Sequence, residues 1–140
     1  MTSVLVTQTA VNRVVVEDSV VRVISAGTQG PAGSSSLRVG TAAWAASMTI
    51  NWGNFDLVRV TLANATTLAF AAVTDGRRVI VELTQDATGT RLVTWPGNVR
   101  YSQSLPLISL STAPGATDRV GFIYSAGSST FDVMAVARGF

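Results

Sequence analysis

Short apolar runs at regular spacing, separated by turn residues, constrain the fold of this chain more than any other feature. From residue 37 onward the candidate strands are 47–51, 57–62, 67–71, 79–84, 90–95, 99–101, 119–125 and 130–138. Side chains alternate within them, as where Ile123 separates Phe122 from Tyr124. A period of two over short strands predicts an all-β fold, an antiparallel β-sandwich or jelly-roll-like domain over residues 37–140. Only the alanine-rich residues 41–48 have a composition suited to a short helix.

Residues 1–26 form a second region, an extended N-terminal β arm. Valine-rich runs at 4–6, 14–16 and 20–24 predict strands, and residues 17–19 suit a short hairpin loop. An isolated ribbon of this size is not stable in water, and it has too few residues for its own core. We therefore expect the arm to dock on the following domain, on a partner chain or on a larger assembly. The last two are favoured because residues 27–36 have the composition of a linker.

The junction at residues 27–36 has glycine at every third position, at 27, 30 and 33, with Pro31 after the second. This spacing is typical of chains packed closely around a common axis. Together with the arm it predicts an oligomer with anchoring and subunit contacts in this part of the chain. The predicted contact residues are Arg13, Val15, Val21, Arg22, Val23, Gly27, Gly30, Pro31 and Gly33.

The restricted alphabet of the chain excludes several kinds of site. There is no His, Cys or Lys, and all ten basic residues are Arg. Catalytic triads that depend on His, thiolate nucleophiles, zinc sites and Schiff-base lysines are therefore excluded. With 47% hydrophobic and 13% charged residues, the chain is expected to cover apolar surface by permanent assembly. We predict no catalytic residue, no cofactor and no metal site.

Carboxylates are the remaining candidates for chemistry. A glycosidase pair or a calcium site would have to come from Asp56, Asp75, Glu82, Asp86 and Asp118. Most of them lie beside turn residues, which favours ordinary turn hydrogen bonding. Glu82 is expected on the sheet face opposite Val81 and Leu83, with Asp86 in the adjoining turn, so that the turn holds the pair apart.

The charge pattern argues against nucleic acid and membrane partners. The net charge is only +2, and the arginines are dispersed apart from the adjacent Arg77 and Arg78. A basic patch interleaved with aromatic residues is absent. The sequence has neither a secretory signal pattern nor an apolar run long enough to span a bilayer, so we predict no membrane insertion.

The densest local signature of the chain runs from Val79 to Pro96, with the sequence VIVELTQDATGTRLVTWP. A second proline-containing loop follows at 104–111, and a Phe-Ile-Tyr strand follows at 122–124. This segment resembles a module that recurs in tail fibres and other virion appendages of tailed bacteriophages. The β-rich arm before a Gly-Pro-Ala-Gly junction is also similar to phage fibre proteins. The resemblance covers most of the chain, although the extended repetitive shaft of long fibres is missing.

The resemblance implies a homotrimeric, non-enzymatic structural protein on the virion surface, made in the host cytoplasm. We expect a capsid decoration or head-spike protein whose arm binds the major capsid protein and whose C-terminal domain projects. The first alternative is a short tail fibre or baseplate protein that binds a host surface glycan, with a tail or baseplate protein as its partner. The second is a carbohydrate-active enzyme or lectin module.

Aromatic side chains bear on those alternatives, because aromatic faces stack on sugars. Trp52, Trp95 and Tyr101 are the candidate glycan contacts, and Trp44 is a further tryptophan considered for the same role. The competing interpretation, which we favour, is that the tryptophans pack in the core or at a subunit interface.

Overall fold

The computed structural model describes residues 36–140 in full and the backbone of three strands in the preceding part. Those strands are β1 (Val6–Thr7), β2 (Asn12–Glu17) and β3 (Val20–Ser25). The chain divides into two compact units, Met1–Ser35 and Ser36–Phe140. The described residues contain strands, turns and loops but no helix, so the fold class is all-β. Except for Ser36, the predicted junction at 27–36 lies outside the described residues.

The N-terminal unit contains a three-stranded antiparallel sheet in the order β1-β2-β3. Glu17 pairs with Val20, which gives the predicted hairpin between the second and third strands. Val14 pairs with Val23, and Val16 pairs with Val21. Because successive residues of a strand alternate between faces, these four valine positions share one face of the ribbon.

The second unit is built from nine strands in two sheets. The strands are β4 (Val39–Ala42), β5 (Ser47–Ile50), β6 (Leu57–Leu62), β7 (Thr66–Phe70), β8 (Arg78–Gln85), β9 (Val93–Thr94), β10 (Val99–Arg100), β11 (Thr117–Ser125) and β12 (Thr130–Ala137). One sheet has the order β10-β12-β11-β8-β6-β4 and the other β5-β7-β9. The helix considered for residues 41–48 is absent, since β4 and β5 occupy the two ends of that segment and residues 43–46 are not helical.

Strand pairing in this unit is mixed, which corrects the purely antiparallel arrangement expected from the sequence. Strands β8–β11 and β11–β12 pair antiparallel, whereas β4–β6, β6–β8, β5–β7, β7–β9 and β10–β12 pair in parallel. The reason is that strands β4 to β9 alternate between the two sheets. The chain reverses once when it enters the other sheet and again when it returns. Consecutive strands of the same sheet therefore run in the same direction.

The predicted strand at 90–95 is shortened to Val93–Thr94, because the backbone before it forms a turn and is hydrogen-bonded to a side chain. Gly89 and Thr90 have φ angles of 74° and 60°, in the left-handed region that interrupts a strand. The amide side chain of Gln85 then holds both main-chain groups of Arg91. Its Oε1 accepts from Arg91 N at 2.8 Å, and its Nε2 donates to Arg91 O at 3.1 Å.

Side chains from both sheets of the second unit form one apolar core. Trp52, Phe122 and Phe131 are among its largest fully buried members. Phe70 makes edge-to-face contacts with all three, at centroid distances of 5.5, 5.3 and 5.1 Å. Such aromatic contacts stabilise beyond simple burial, so Phe70 joins the three-stranded sheet to the six-stranded one.

Candidate interaction surfaces

The structure places the predicted arm contacts on two paired strands. Arg13 and Val15 lie on β2, opposite Ile24 and Arg22 of β3, respectively. Val21 and Val23 are on β3, at positions that share the valine face of the ribbon. The predicted contacts Gly27, Gly30, Pro31 and Gly33 lie outside the described residues.

Glu82 is an ion-paired carboxylate on the outer face of the six-stranded sheet. Its neighbours Val81 and Leu83 point into the core, which confirms the predicted opposition of faces. Arg59 Nε donates to Glu82 Oε1 at 2.9 Å, and Arg119 Nε donates to Oε2 at 2.7 Å. Burial acts to raise the pKa of Glu82, but these two arginines outweigh it, so the pKa lies below its ordinary value.

Asp86 lies in the turn after β8 and accepts backbone hydrogen bonds there, as predicted. Its Oδ1 accepts from Thr88 N at 3.0 Å and Gly89 N at 2.9 Å. Arg91 forms a salt bridge with Asp86 at 2.7 Å. The hydrogen bond from Arg91 is the main cause that lowers the pKa of Asp86 to about 2, against a smaller opposing effect of burial. A carboxyl with this pKa is ionised at neutral pH and does not act as a general acid.

Asp56 is the centre of a second arginine–carboxylate–arginine group. Arg38 approaches it at 2.9 Å through Nε and 2.8 Å through Nη2, and Arg77 approaches at 2.7 Å through Nη2. Burial acts to raise the pKa of Asp56, and the hydrogen bonds and charge of Arg38 more than offset it. The pKa of this carboxyl is therefore also lowered.

The remaining carboxylates of residues 36–140 are also bound. Asp118 is buried and accepts from the backbone N–H groups of Ser111 and Gly139. Asp75 accepts from Ala126 N at 2.8 Å. Arg100 pairs with Asp132, and its hydrogen bond is the main cause of the lowered pKa of that carboxyl. Each of the six side-chain carboxylates of this unit therefore binds an arginine or a backbone N–H group of the fold.

Trp52 is not a glycan contact in this fold, which corrects its place among the candidates. The side chain is fully buried, with a relative exposure of 0%. An indole without exposed surface cannot stack on a sugar unless the core opens. Trp44 is half-buried and donates its indole N–H to the carbonyl of Asn64 at 3.1 Å.

Trp95 and Tyr101 differ from Trp52 because part of each side chain reaches solvent. Trp95 is half-buried and packs against Phe70 and Phe122 at centroid distances of 6.4 and 5.7 Å. Tyr101 is 39% exposed, and partial burial raises the pKa of its phenol. Trp95 therefore belongs to both the core and the surface.

Trp95 also lines a surface cavity that the sequence analysis did not find. The cavity has a volume of about 330 Å³ and lies between the β9 segment and the 107–112 loop. Leu92 and Leu107 stand on its two sides and are 70% and 64% exposed. One signal was present in the sequence. Side chains alternate between the two faces of a strand along the run from Arg91 to Trp95, so Leu92 lies on the face opposite Val93, where a polar residue is expected.

Comparisons with known proteins do not assign the chain to a family. A scan against models of protein families finds no match, and a search of curated proteins finds no significantly similar sequence. Within the described part of the chain, no cluster of acidic side chains is arranged to hold a metal ion. Nor does that part contain a helix with the length and apolarity needed to cross a bilayer. The resemblance to phage appendage proteins stays a prediction.

Proposed function

We propose that this chain is a non-enzymatic structural protein of a phage virion, most simply a capsid decoration or head-spike protein. Its N-terminal arm attaches the protein to the major capsid protein, and the unit at residues 36–140 projects from the particle. The functional form is a homotrimer in which that unit is a two-layer, sandwich-like β domain.

The observation that carries the proposal is the arm, a compact unit separate from the rest of the chain. It contains one sheet with strands of two, six and six residues. A ribbon of this size is marginal in water unless a further surface covers it. The shared face of Val14, Val16, Val21 and Val23 supplies an apolar strip for such a contact. An anchoring role accounts for a ribbon that is only marginally stable alone.

The charges of the second unit support a structural role. Asp56 and Glu82 each bind two arginines, and Asp86 and Asp132 each bind one. Where the pKa of a carboxyl is shifted, it is lowered, whereas general acids need a raised pKa. These side chains link strands and loops, which is what a passive, durable subunit requires.

Exposed apolar side chains support assembly. Met134 and Phe140 are 60% and 64% exposed in the single chain. Met134 borders an apolar depression on the outer face of the six-stranded sheet, beside Ile80 and Ile123. Subunit contacts in a trimer would remove part of this surface from water.

Immunogold electron microscopy of intact particles tests the location. Antibodies against the purified protein are expected to label the head, whereas labelling of the tail tip or baseplate would favour the short tail fibre alternative. Particles without label, from a preparation in which infected cells contain the protein, would contradict a virion role altogether.

Deleting residues 1–26 tests the arm. The truncated protein is expected to keep its β circular dichroism spectrum and to be missing from particles, because the ribbon that binds the capsid is gone. Incorporation at the normal level would place the anchoring contact in residues 27–140. Light scattering of the full-length protein is expected to give the mass of a trimer, and a monomer at micromolar concentration would contradict the trimer.

A further inference from the structure

The cavity beside β9 lies along an unpaired strand edge. β9 is the end strand of its sheet and pairs only with β7, through Val93 and Thr94. Arg91, Leu92, Val93 and Trp95 line the cavity, whereas no residue of β7 does. The cavity is therefore on the side of β9 that faces away from its sheet partner. Gln85 already holds the main-chain groups of Arg91, so the edge offers the remaining main-chain N–H and C=O groups of β9 to an incoming extended chain.

The walls of the cavity suit apolar side chains. Leu92 on the β9 side and Leu107 on the loop side are among the most exposed large hydrophobic residues of the described chain. Trp95, Ile108 and Leu110 complete an apolar lining between them. The volume of about 330 Å³ accommodates side chains of an extended segment rather than a folded domain.

The charges around the cavity favour an acidic occupant. Arg91 is already neutralised by Asp86. Arg138 donates to Ser109 Oγ at 3.2 Å, and Ser109 lines the cavity. In residues 36–140 no salt bridge involves Arg138. A positive charge at the rim that lacks a carboxylate partner is complementary to Glu or Asp in a bound segment.

We propose that this groove binds an extended segment of a partner protein by adding a strand to β9. The segment places an apolar side chain between Leu92 and Leu107 and a carboxylate against Arg138. Because β9 is only two residues long, main-chain pairing fixes the register, and the side-chain contacts supply most of the affinity. This binding activity is independent of the proposed virion role.

Dye-labelled peptides provide the test, with fluorescence anisotropy of the full-length protein as the readout. The probes are octapeptides of alternating valine and threonine, each with a single glutamate at one of the eight positions. Two matched sets replace the glutamate by lysine or replace alternate residues by proline, which cannot pair as a strand. At least one glutamate peptide is expected to bind, its lysine counterpart at least tenfold more weakly, and its proline counterpart not at all.

Variants then locate the bound peptide. Leu107→Ser and Arg138→Gln are each expected to weaken binding of the best peptide about tenfold, because each removes one named contact. Met134→Ser, which changes an exposed residue on β12 outside the groove, is the matched control and should leave binding unchanged. All three positions are exposed, and thermal melting confirms that each variant is folded.

Three results would overturn the proposal. The first is that no peptide binds at 1 mM. The second is that peptides bind equally well to the Leu107→Ser and Arg138→Gln variants. The third is that acidic oligosaccharides, tested in parallel, bind at the groove and the peptides do not, which would make it a sugar site.

Discussion

Two arginine–carboxylate–arginine groups of the same composition are used differently in this molecule. In the first, Asp56 binds Arg38 and Arg77, which come from the start of the unit and from the loop between β7 and β8. In the second, Glu82 binds Arg59 and Arg119 on the strands either side of its own. Both groups lie across the same sheet: the first stands where the paired strands β4, β6 and β8 begin, and the second lies within the paired strands β6, β8 and β11.

The backbone contacts around each carboxylate sharpen the difference. The Asp56 carboxylate also accepts from Arg38 N at 3.1 Å, and Arg77 Nη2 donates to the carbonyl of Phe55 at 3.1 Å. Among residues 36–140 the hydrogen-bond partners of the Glu82 carboxylate are two guanidinium groups, whose side chains are 53% and 45% exposed. Exposed arginines can turn to water when the carboxylate is removed. The comparison teaches that burial and backbone contacts, more than the number of ion pairs, set what such a group contributes.

The largest effect is expected from Asp56→Ala. The substitution leaves Arg77, whose side chain is only 20% exposed, without its carboxylate, and it removes the acceptor of Arg38 N. We expect a loss of about 2–3 kcal/mol in the free energy of unfolding, below the range for a fully buried pair. Urea unfolding followed by tryptophan fluorescence measures it. A loss below that of Glu82→Ala would reverse the order of the two groups.

Glu82→Ala is expected to cost less, about 1 kcal/mol, because the sheet register survives and both arginines can be solvated. The same urea experiment applies, with Thr61→Ala on the neighbouring exposed position of β6 as the control for strand propensity. If Glu82→Ala lowered the unfolding free energy as much as Asp56→Ala, the greater exposure of Arg59 and Arg119 would not be what separates the two groups.

The sequence predicted the elements of the sheet better than their partners. Alternation located β6, β8, β11 and β12 within two residues, since apolar side chains mark the buried face of a strand. β4 was missed because its Gly40 and Ala42 have low strand propensity, and pairing with β6 holds it in place. Alternation does not say which strand is the neighbour, so the parallel pairs could not be predicted.

The same limit applies to the candidate sites. The turn contacts of Asp86 are local, three residues apart or fewer, and were predictable. Arg38 and Asp56 are separated by 18 residues, and Leu92 and Leu107 by a loop, so only the folded chain brings them together. The burial of Trp52 followed from the usual behaviour of tryptophan, but no local signal distinguished it from the half-exposed Trp95.

The acid dependence of the unfolding free energy reports the contributions of four carboxylates, because each contribution requires the charged form. The pKa values of Asp56, Glu82, Asp86 and Asp132 are all lowered in the folded chain. Their stabilising contributions are therefore complete above the ordinary carboxyl pKa and are lost as the pH falls through the folded values. For Asp86 this window runs from 3.8 down to about 2.

We expect the unfolding free energy to be nearly constant from pH 5.5 to 7, because the chain contains no histidine, and to fall below pH 4. Asp56→Asn and Glu82→Gln should each make the acid slope shallower. Urea titrations at half-unit pH intervals measure this. A slope that neither variant changes would mean that these carboxyls keep their ordinary pKa values.

The smallest effect concerns the packing that supports the Asp56 group. A Cβ at Gly40 would meet three ring atoms of Phe55 at 2.6 to 2.7 Å, and Phe55 directly precedes Asp56. Gly40→Ala therefore has to push the ring outward. Because that ring is already 37% exposed, we expect it to swing aside at a cost below about 1 kcal/mol. Gly121→Ala on β11 is the matched control, since a Cβ there meets nothing within 4 Å, and it should stay within about 0.5 kcal/mol of wild type.

If moving the ring also shifts the Phe55 carbonyl away from Arg77, then Gly40→Ala combined with Asp56→Ala should lower the unfolding free energy by less than the sum of the two single changes. Full additivity in that double-mutant cycle would show that the Phe55 ring and the Asp56 group stabilise the unit independently.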